Sequence, residues 1–396
     1  MPALNADNLL ELIDLGSHYL AAQIQMDGRY RYGYFPCFGR EILAYNTLRH
    51  ASSTYALLES YEVCRQQLGK APAKLPKVIS AKHATTDSLA DMKERIRLAL
   101  RYLTTQYIRH YPGNLAYVLE QEGDIKLGAN AVTILALTKF ISVFPEDEGC
   151  EHYMELAGKL AGGIIAMQQD DGSFVHVLNA KDLSVKEKHR IIYYDGEAAF
   201  GLMRLYGITR ERNLLDCVVR AFEYFRANKY EEAHDHWLAY CSNELVKYLP
   251  EKQYFSFAVR NVNGFVDFIR ERITTFPTLL ELSMAFHNTL LLLDNYPDFQ
   301  DVLDGFDVAE FYRALHIRAN YLVNGFFFPE TAMFYKYPKT ILHGMFIRHH
   351  AFRVRIDDVE HYLSGFVAYQ KFMASEQYPR SLTEPSSEPA VDIFAP

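Results

Sequence analysis

Polar and apolar positions along the chain sort into two kinds of helical run. Asn5–Gln25 places Leu9, Leu10, Ile13, Leu15, Tyr19 and Leu20 close to the i, i+3, i+4, i+7 rhythm of one buried face. The run 86–110 does the same, with Lys93, Glu94, Arg95, Arg97 and Arg101 on a solvated side. A second kind is apolar all round, as in Ala131–Leu137, and a helix of that kind must be surrounded by protein. Taken in order, the pattern predicts helices over about 5–25, 46–64, 86–110, 129–143, 150–167, 198–206, 213–228, 235–249, 253–272, 278–296, 306–324 and 357–374. Pro145, Gly207, Pro250, Pro277, Pro297 and Gly305 punctuate the junctions.

Strand signals are short and confined to connections. Arg29–Pro36 alternates with aromatics and reads as an extended loop or short strand, and Ala116–Leu119 and Ile125–Leu127 flank Gln121–Asp124 as a hairpin. Charged and uncharged helices alternate along the chain. That alternation predicts six hairpins, with the even helices inside and the odd ones outside: an all-α (α/α)6 toroid of about twelve helices. An open superhelical array of the same pairs is the alternative. The toroid is expected to span 1–374 as a single domain. Ala71–Val78 reads as a loop, and 375–396, rich in Pro, Ser and Glu, as a disordered tail.

A polar or aromatic cluster precedes or opens each even helix: 45–50, 127–130, 193–198, 234–237, 277–281 and 355–361. If the inner helices run in parallel, these clusters meet at one mouth. Unpaired helix N-H groups there favour an anion. Glu197, Tyr193, Tyr194, His50, His361 and Asp357 are the candidate catalytic residues. Arg49, Arg355, Asp195, Asn46, Asp235, His236, Trp237 and Glu281 are the candidate substrate-binding residues, with the two arginines as a carboxylate clamp. Each has a structural alternative: the carboxylates could cap helices, the arginines could pair with them, the histidines could be core residues, and Trp237 could pack in the interior. The 326–353 connection is long enough to form a functional lid.

Composition narrows the partners. A net charge of -8 without a basic stripe argues against nucleic acid. The 28 tyrosines and 26 phenylalanines suit a ring-lined cleft as well as a core. Five scattered cysteines lack paired spacing, no HExxH-type chelating motif is present, and neither metal nor cofactor is expected. No run reaches the roughly 18 apolar residues of a membrane span, and the first 25 residues lack the pattern of a secretory signal, which makes the cytoplasm the expected location.

Tyr-Tyr-Asp-Gly-Glu-Ala at 193–198, Gln-Gln-Asp-Asp-Gly-Ser-Phe at 168–174 and the helix rhythm resemble the six-hairpin superfamily of glycoside hydrolases, unsaturated-uronide hydrolases, N-acylglucosamine 2-epimerases and the C-terminal domain of glucuronyl C5-epimerases. The Tyr-Tyr-x-Gly-Glu-Ala stretch is most similar in style to the last. The resemblance implies an enzyme acting on an acidic, uronic-acid-type saccharide by epimerisation, hydrolysis or elimination, with tyrosines and a glutamate at work. A non-catalytic saccharide-binding or scaffold toroid is the alternative. A terpenoid-cyclase-like enzyme is a minor one, since only Gln168–Phe174 matches that class's repeat.

Overall fold

The computed structural model describes residues 4–66 and 86–375. The expected loop at Ala71–Val78, and the expected tail from 376 onward, lie outside the described residues. Among the described residues there are fifteen α-helices: α1 Ala6–Ala22, α2 Thr47–Gln66, α3 Thr86–Gln106, α4 Leu127–Val143, α5 Cys150–Ala166, α6 Tyr193–Thr209, α7 Arg212–Ala227, α8 His236–Val246, α9 Lys252–Arg260, α10 Val266–Glu271, α11 Thr278–Leu293, α12 Val308–Leu322, α13 Pro329–Ala332, α14 Pro338–Ile341 and α15 Ile356–Met373.

Six of them close a ring. α2 packs on α4, α4 on α6, α6 on α8, α8 on α11, α11 on α15, and α15 returns to α2. Outside it, α1 lies against α15 and α2, α3 against α2, α5 against α4, α7 against α6, α9 against α8 and α12 against α11. This is an (α/α)6 toroid, and the α15–α2 contact excludes the open array. The burial explains the sorting. Every residue of α4 from Leu127 to Thr138 is buried, whereas outer α7 buries one stripe, Leu214, Leu215, Cys217, Val218, Ala221, Phe222 and Phe225. Several hydroxyls on the inner helices return to their own backbone, as Thr54 Oγ1 does to His50 O and Thr133 Oγ1 to Ala129 O, at 2.8 and 2.7 Å, so these can be buried without loss.

The boundaries differ from expectation at three places. The third helix stops at Gln106, and Ile108–Tyr111 pairs antiparallel with Leu115–Val118. The ninth breaks into α9 and α10 at a turn where Gly264 adopts a φ of +76°, a conformation that favours glycine. The hairpin expected at 116–127 shrinks to a single Leu119–Ile125 bridge around the 120–124 turn. The flanking strands find other partners, Leu115–Val118 with Ile108–Tyr111 and Asp124–Lys126 with Val177–Asn179. Asn130 Oδ1 helps divert the chain by accepting the Val118 N-H at 2.8 Å.

The extended stretch before α2 forms a strand, Gly33–Phe35, that pairs with both Arg40–Glu41 and Val354–Arg355. This brings the entry to α15 beside the entry to α2. The five cysteines are unpaired. Among the described residues no helix is long and apolar enough to cross a membrane.

Candidate active site

A cavity of about 620 Å³ opens where the inner helices begin; five of the six clusters line it, and at the sixth, 127–130, the preceding Lys126 does. Asn46 and Arg49 come from α2, Lys126 from the cap position of α4, Tyr193, Tyr194 and Glu197 from α6, and His236 and Trp237 from α8. Pro277 and Thr278 come from α11, and Arg355, Asp357, Asp358, Glu360 and His361 from α15. The long 326–353 connection supplies Ile347, His350 and Arg353. Its Phe327, Met345 and Phe346 are buried, so it is packed as a wall of the cavity.

Glu197 sits one turn into α6, 3% exposed, with its Oε2 buried and unpartnered. Burial, reinforced by the charges of Asp235 and Glu360, holds its carboxyl well above the usual range. Gly128 at the start of α4 makes room for it: a Cβ there would lie 2.0 Å from Glu197 Oε2 and 2.7 Å from Tyr194 Cδ1. Burial also raises the Tyr193 and Tyr194 phenols, which stay neutral.

Two histidines that line the cavity, His236 and His361, meet edge to face, ring centroids 5.3 Å apart and planes at 78°. His361 Nδ1 meets Glu281 Oε2 at 2.8 Å and lies 3.4 Å from Glu360 Oε1. Burial opposes its charge, yet Glu360 and Glu281 bring its pKa up to about 10, making it an imidazolium. His236 differs: its Nδ1 lies 3.2 Å from Asp235 Oδ1, and its buried Nε2 has no partner. Asp235 Oδ1 is itself buried without a hydrogen-bond partner, so this contact places a carboxylate beside the ring without fixing its tautomer.

The third component is cationic. Arg49, Lys126, Arg190, Arg353 and Arg355 line the cavity. Asp357 is gripped from two sides, by Arg49 Nε at 2.8 Å and by Arg355, whose Nη2 contact is 2.6 Å. Burial would raise its carboxyl, but Arg355 and Arg49 outweigh burial and keep it below the usual range. Arg353 binds Asp358 through both oxygens, at 2.8 and 2.6 Å. Arg49 also donates to Tyr32 OH at 2.7 Å.

Several residues expected at the site lie elsewhere, and others line it in a different role from the one expected. His50 is fully buried between Tyr45 OH (2.7 Å) and Ala99 O (2.8 Å), where burial lowers its pKa to about 4; it is a core residue and not a catalytic one. Asp195 faces a smaller separate cavity and accepts from His176 at 3.0 Å. Asp235 caps α8 through the Leu238 N-H and acts only from behind His236, while Glu281 stands behind His361. Asn46 caps α2, its Oδ1 accepting the Arg49 N-H at 3.0 Å. Trp237 presents part of its surface to the cavity, but it is 4% exposed and packed on Phe200 and Tyr240, so it is not an open stacking platform. Asp357 is tied to arginines and is available neither as a base nor, with Asp358, as a metal-binding pair of the terpenoid-cyclase kind.

Sequence reasoning did not single out Glu360, Arg353, His350, Lys126 or Arg190. Glu360 lies inside the 355–361 cluster and Arg353 two residues before it, and the density of charge there is the available signal. Ligand-type atoms also gather within 4.8 Å at His176, His189 and Asp195. There His176 Nδ1 accepts the Arg190 and Ile191 N-H groups at 2.9 and 3.3 Å, which puts the ring proton on Nε2 facing Asp195. A protonated Nε2 cannot coordinate a cation. At His236, Glu281 and His361, the other such group, Glu281 and His361 bond each other directly.

No family model matches the chain, and no curated protein matches it in sequence. Solved structures share its architecture. A cellobiose 2-epimerase from Bacillus thermoamylovorans superimposes with a TM-score of 0.59 at 11% identity, covering 89% of this chain and 95% of its own. A D-mannose isomerase gives 0.59 at 10% identity, covering 93% and 99%. A GH76 alpha-mannanase from Bacteroides thetaiotaomicron gives 0.55 at 10% identity, covering 93% and 96%. These likenesses define the fold class, the (α/α)6 toroid.

Proposed function

We propose that this chain is a carbohydrate-active enzyme that moves protons on a saccharide bearing an anionic group, by epimerisation or isomerisation. The observation that carries the reading is the unequal histidine pair: His361 held as a cation by two carboxylates, and His236 facing it with an unpartnered Nε2. One ring offers a proton and the other a lone pair, the division of roles that enolisation requires.

In the proposed reaction the open-chain sugar places its carbonyl oxygen toward His361 and Glu197. His236 Nε2 removes the proton on the adjacent carbon, the C-H electron pair forms the C=C bond, and the carbonyl oxygen takes a proton to give an enediol. A proton returned to the same carbon from the opposite face yields the epimer; one delivered to the former carbonyl carbon yields the ketose. Glu197, neutral in its buried position, donates to the sugar oxygens. The names of two solved neighbours, a 2-epimerase and an isomerase, describe reactions of this class.

The anionic group is read from the wall. Five cations line the cavity together with four carboxylates, the starts of the inner helices add partial positive charge, and the arginines, positioned by Asp357 and Asp358, suit a sugar carboxylate. The resemblance of Tyr193–Ala198 to the glucuronyl epimerase domain supports a uronic acid. Hydrolysis has less support, because a glycosidase pairs a protonated carboxyl with an ionised carboxylate free to act, and the oxygens of Asp357 are occupied by arginines. The test is to incubate the protein with hexuronates and with neutral hexoses and separate the products. Conversion to an epimer or ketose, with Arg355→Ala raising KM more than it lowers kcat, is the expected result. Release of a shortened saccharide, or no conversion of any sugar, would refute the assignment.

A further inference from the structure

At the other end of the ring a second cavity, of about 270 Å³, opens among the C-terminal halves of five inner helices. Tyr55 and Glu59 come from α2, Phe200 and Arg204 from α6, Tyr240, Asn243, Glu244 and Lys247 from α8 and its end, and further residues from α11 and α15. No step proposed above uses it. Two of its donors lack acceptors: Asn243, 6% exposed, has a buried Nδ2 without a partner, and so has Arg204 at Nε, which lies 3.4 Å from Glu244 Oε2 without forming a hydrogen bond. A buried unpaired donor costs stability unless something accepts from it.

The two carboxylates of the wall accept from other groups and from neither of these donors: Glu59 takes Ser364 Oγ at 3.0 Å, and Glu244 takes Lys247 Nζ at 2.8 Å. An occupant that brings acceptors satisfies both donors. Its charge follows from the surroundings: the carboxylates Glu59 and Glu244 stand against Arg204, Lys247 and Lys371, and the helix C-termini add partial negative charge, so this end does not favour an anion as the front cavity does. Tyr240, stacked on the buried Phe200 at 5.2 Å with planes 13° apart, forms an aromatic side, with Tyr55 also in the lining. Neutral hydroxyls that accept and donate, on a body with an apolar face, match this wall.

We infer that the rear cavity binds a neutral monosaccharide or a single neutral sugar unit, held by Asn243 and Arg204 against the Phe200–Tyr240 side. The volume lies at the small end of ligand pockets, consistent with one ring. The site is distinct from the front cavity but touches its support: Tyr240 lines the rear cavity while its hydroxyl donates to Glu281 at 3.1 Å, and Glu281 holds His361.

The test uses the full chain with asparagine side-chain amides labelled with 15N, titrated with D-glucose and D-mannose and, separately, with sodium D-glucuronate. The expected result is a saturable shift of the Asn243 side-chain amide with a neutral sugar and a smaller one with the glucuronate. Arg204→Gln, at a part-exposed position, should weaken the neutral sugar about 3- to 10-fold, the loss of one hydrogen bond. An Asn243 amide that stays still with both neutral sugars, or an affinity unchanged by Arg204→Gln, would overturn the inference. A larger shift with glucuronate would overturn the neutral assignment. None of these outcomes depends on turnover at the front cavity.

Discussion

Glu281 Oε2 lies 2.8 Å from His361 Nδ1, a buried carboxylate holding an imidazole that opens into the cavity. Glu360, with Glu281, raises the pKa of His361 against the effect of burial. Glu281→Gln should therefore bring that pKa down from about 10, read by NMR titration of the His361 ring. The sign for stability follows. A group whose folded pKa is raised contributes fully below its unfolded value, near 6.5, and loses the contribution as pH rises through the folded value. The stability advantage of wild type over Glu281→Gln should shrink between pH 6.5 and 10. A constant difference over that window would show that Glu281 does not hold the proton.

Glu197 gives the opposite comparison. Its folded carboxyl is held well above the usual range while the unfolded one ionises above about pH 4.5, so it lowers stability progressively as pH rises past that point. Glu197→Gln removes this penalty while keeping shape and neutrality. At pH 7 the variant should melt at least about 2 °C higher than wild type, with the gap closing below pH 4.5. Its kcat should fall about 100-fold or more, because an amide cannot pass the proton on. A melting temperature below that of wild type at pH 7 would mean that Glu197 is ionised in the fold.

Gly128 tests the same carboxyl through packing. Gly128→Ala would place a methyl 2.0 Å from Glu197 Oε2, so the carboxyl must move. Turnover should drop toward that of Glu197→Gln, with the protein still folded by circular dichroism. Full activity in Gly128→Ala would mean that the carboxyl position is immaterial.

Removing Arg355 leaves Asp357, buried, with Arg49 as its main cationic partner. Arg355→Ala should cost about 3 kcal/mol in denaturant unfolding, the range for breaking a buried pair. Asp357, with its folded pKa depressed, contributes stability above about pH 3.8 and loses it as pH falls below, so the variant should differ less from wild type in acid. A loss under about 0.5 kcal/mol would indicate a solvent-screened pair.

Much of this site was legible in the sequence because helices all apolar, as at Ala131–Leu137, can only be inner ones, and inner helices in parallel bring their first turns together. Their side-chain facing was not legible. His50 and His361 both fall within the first turns of inner helices, yet His50 turns onto Tyr45 and the α3 backbone while His361 turns into the cavity. Asp195 and Glu197 are two residues apart, about 200° around α6, and so reach different cavities. Arg353 and His350 arrive on a connection with no helical period, placed by the pairing of Val354–Arg355 with Gly33–Tyr34.

The central claim, that His236 takes a carbon-bound proton with His361 opposite, is tested most directly by exchange in D2O. Wild-type protein incubated with a hexuronate should place deuterium on the carbon beside the carbonyl, in recovered substrate and in product, while His236→Asn should lose that label and keep its fold. Product that forms without deuterium on that carbon, or labelling undiminished in His236→Asn, would contradict the account.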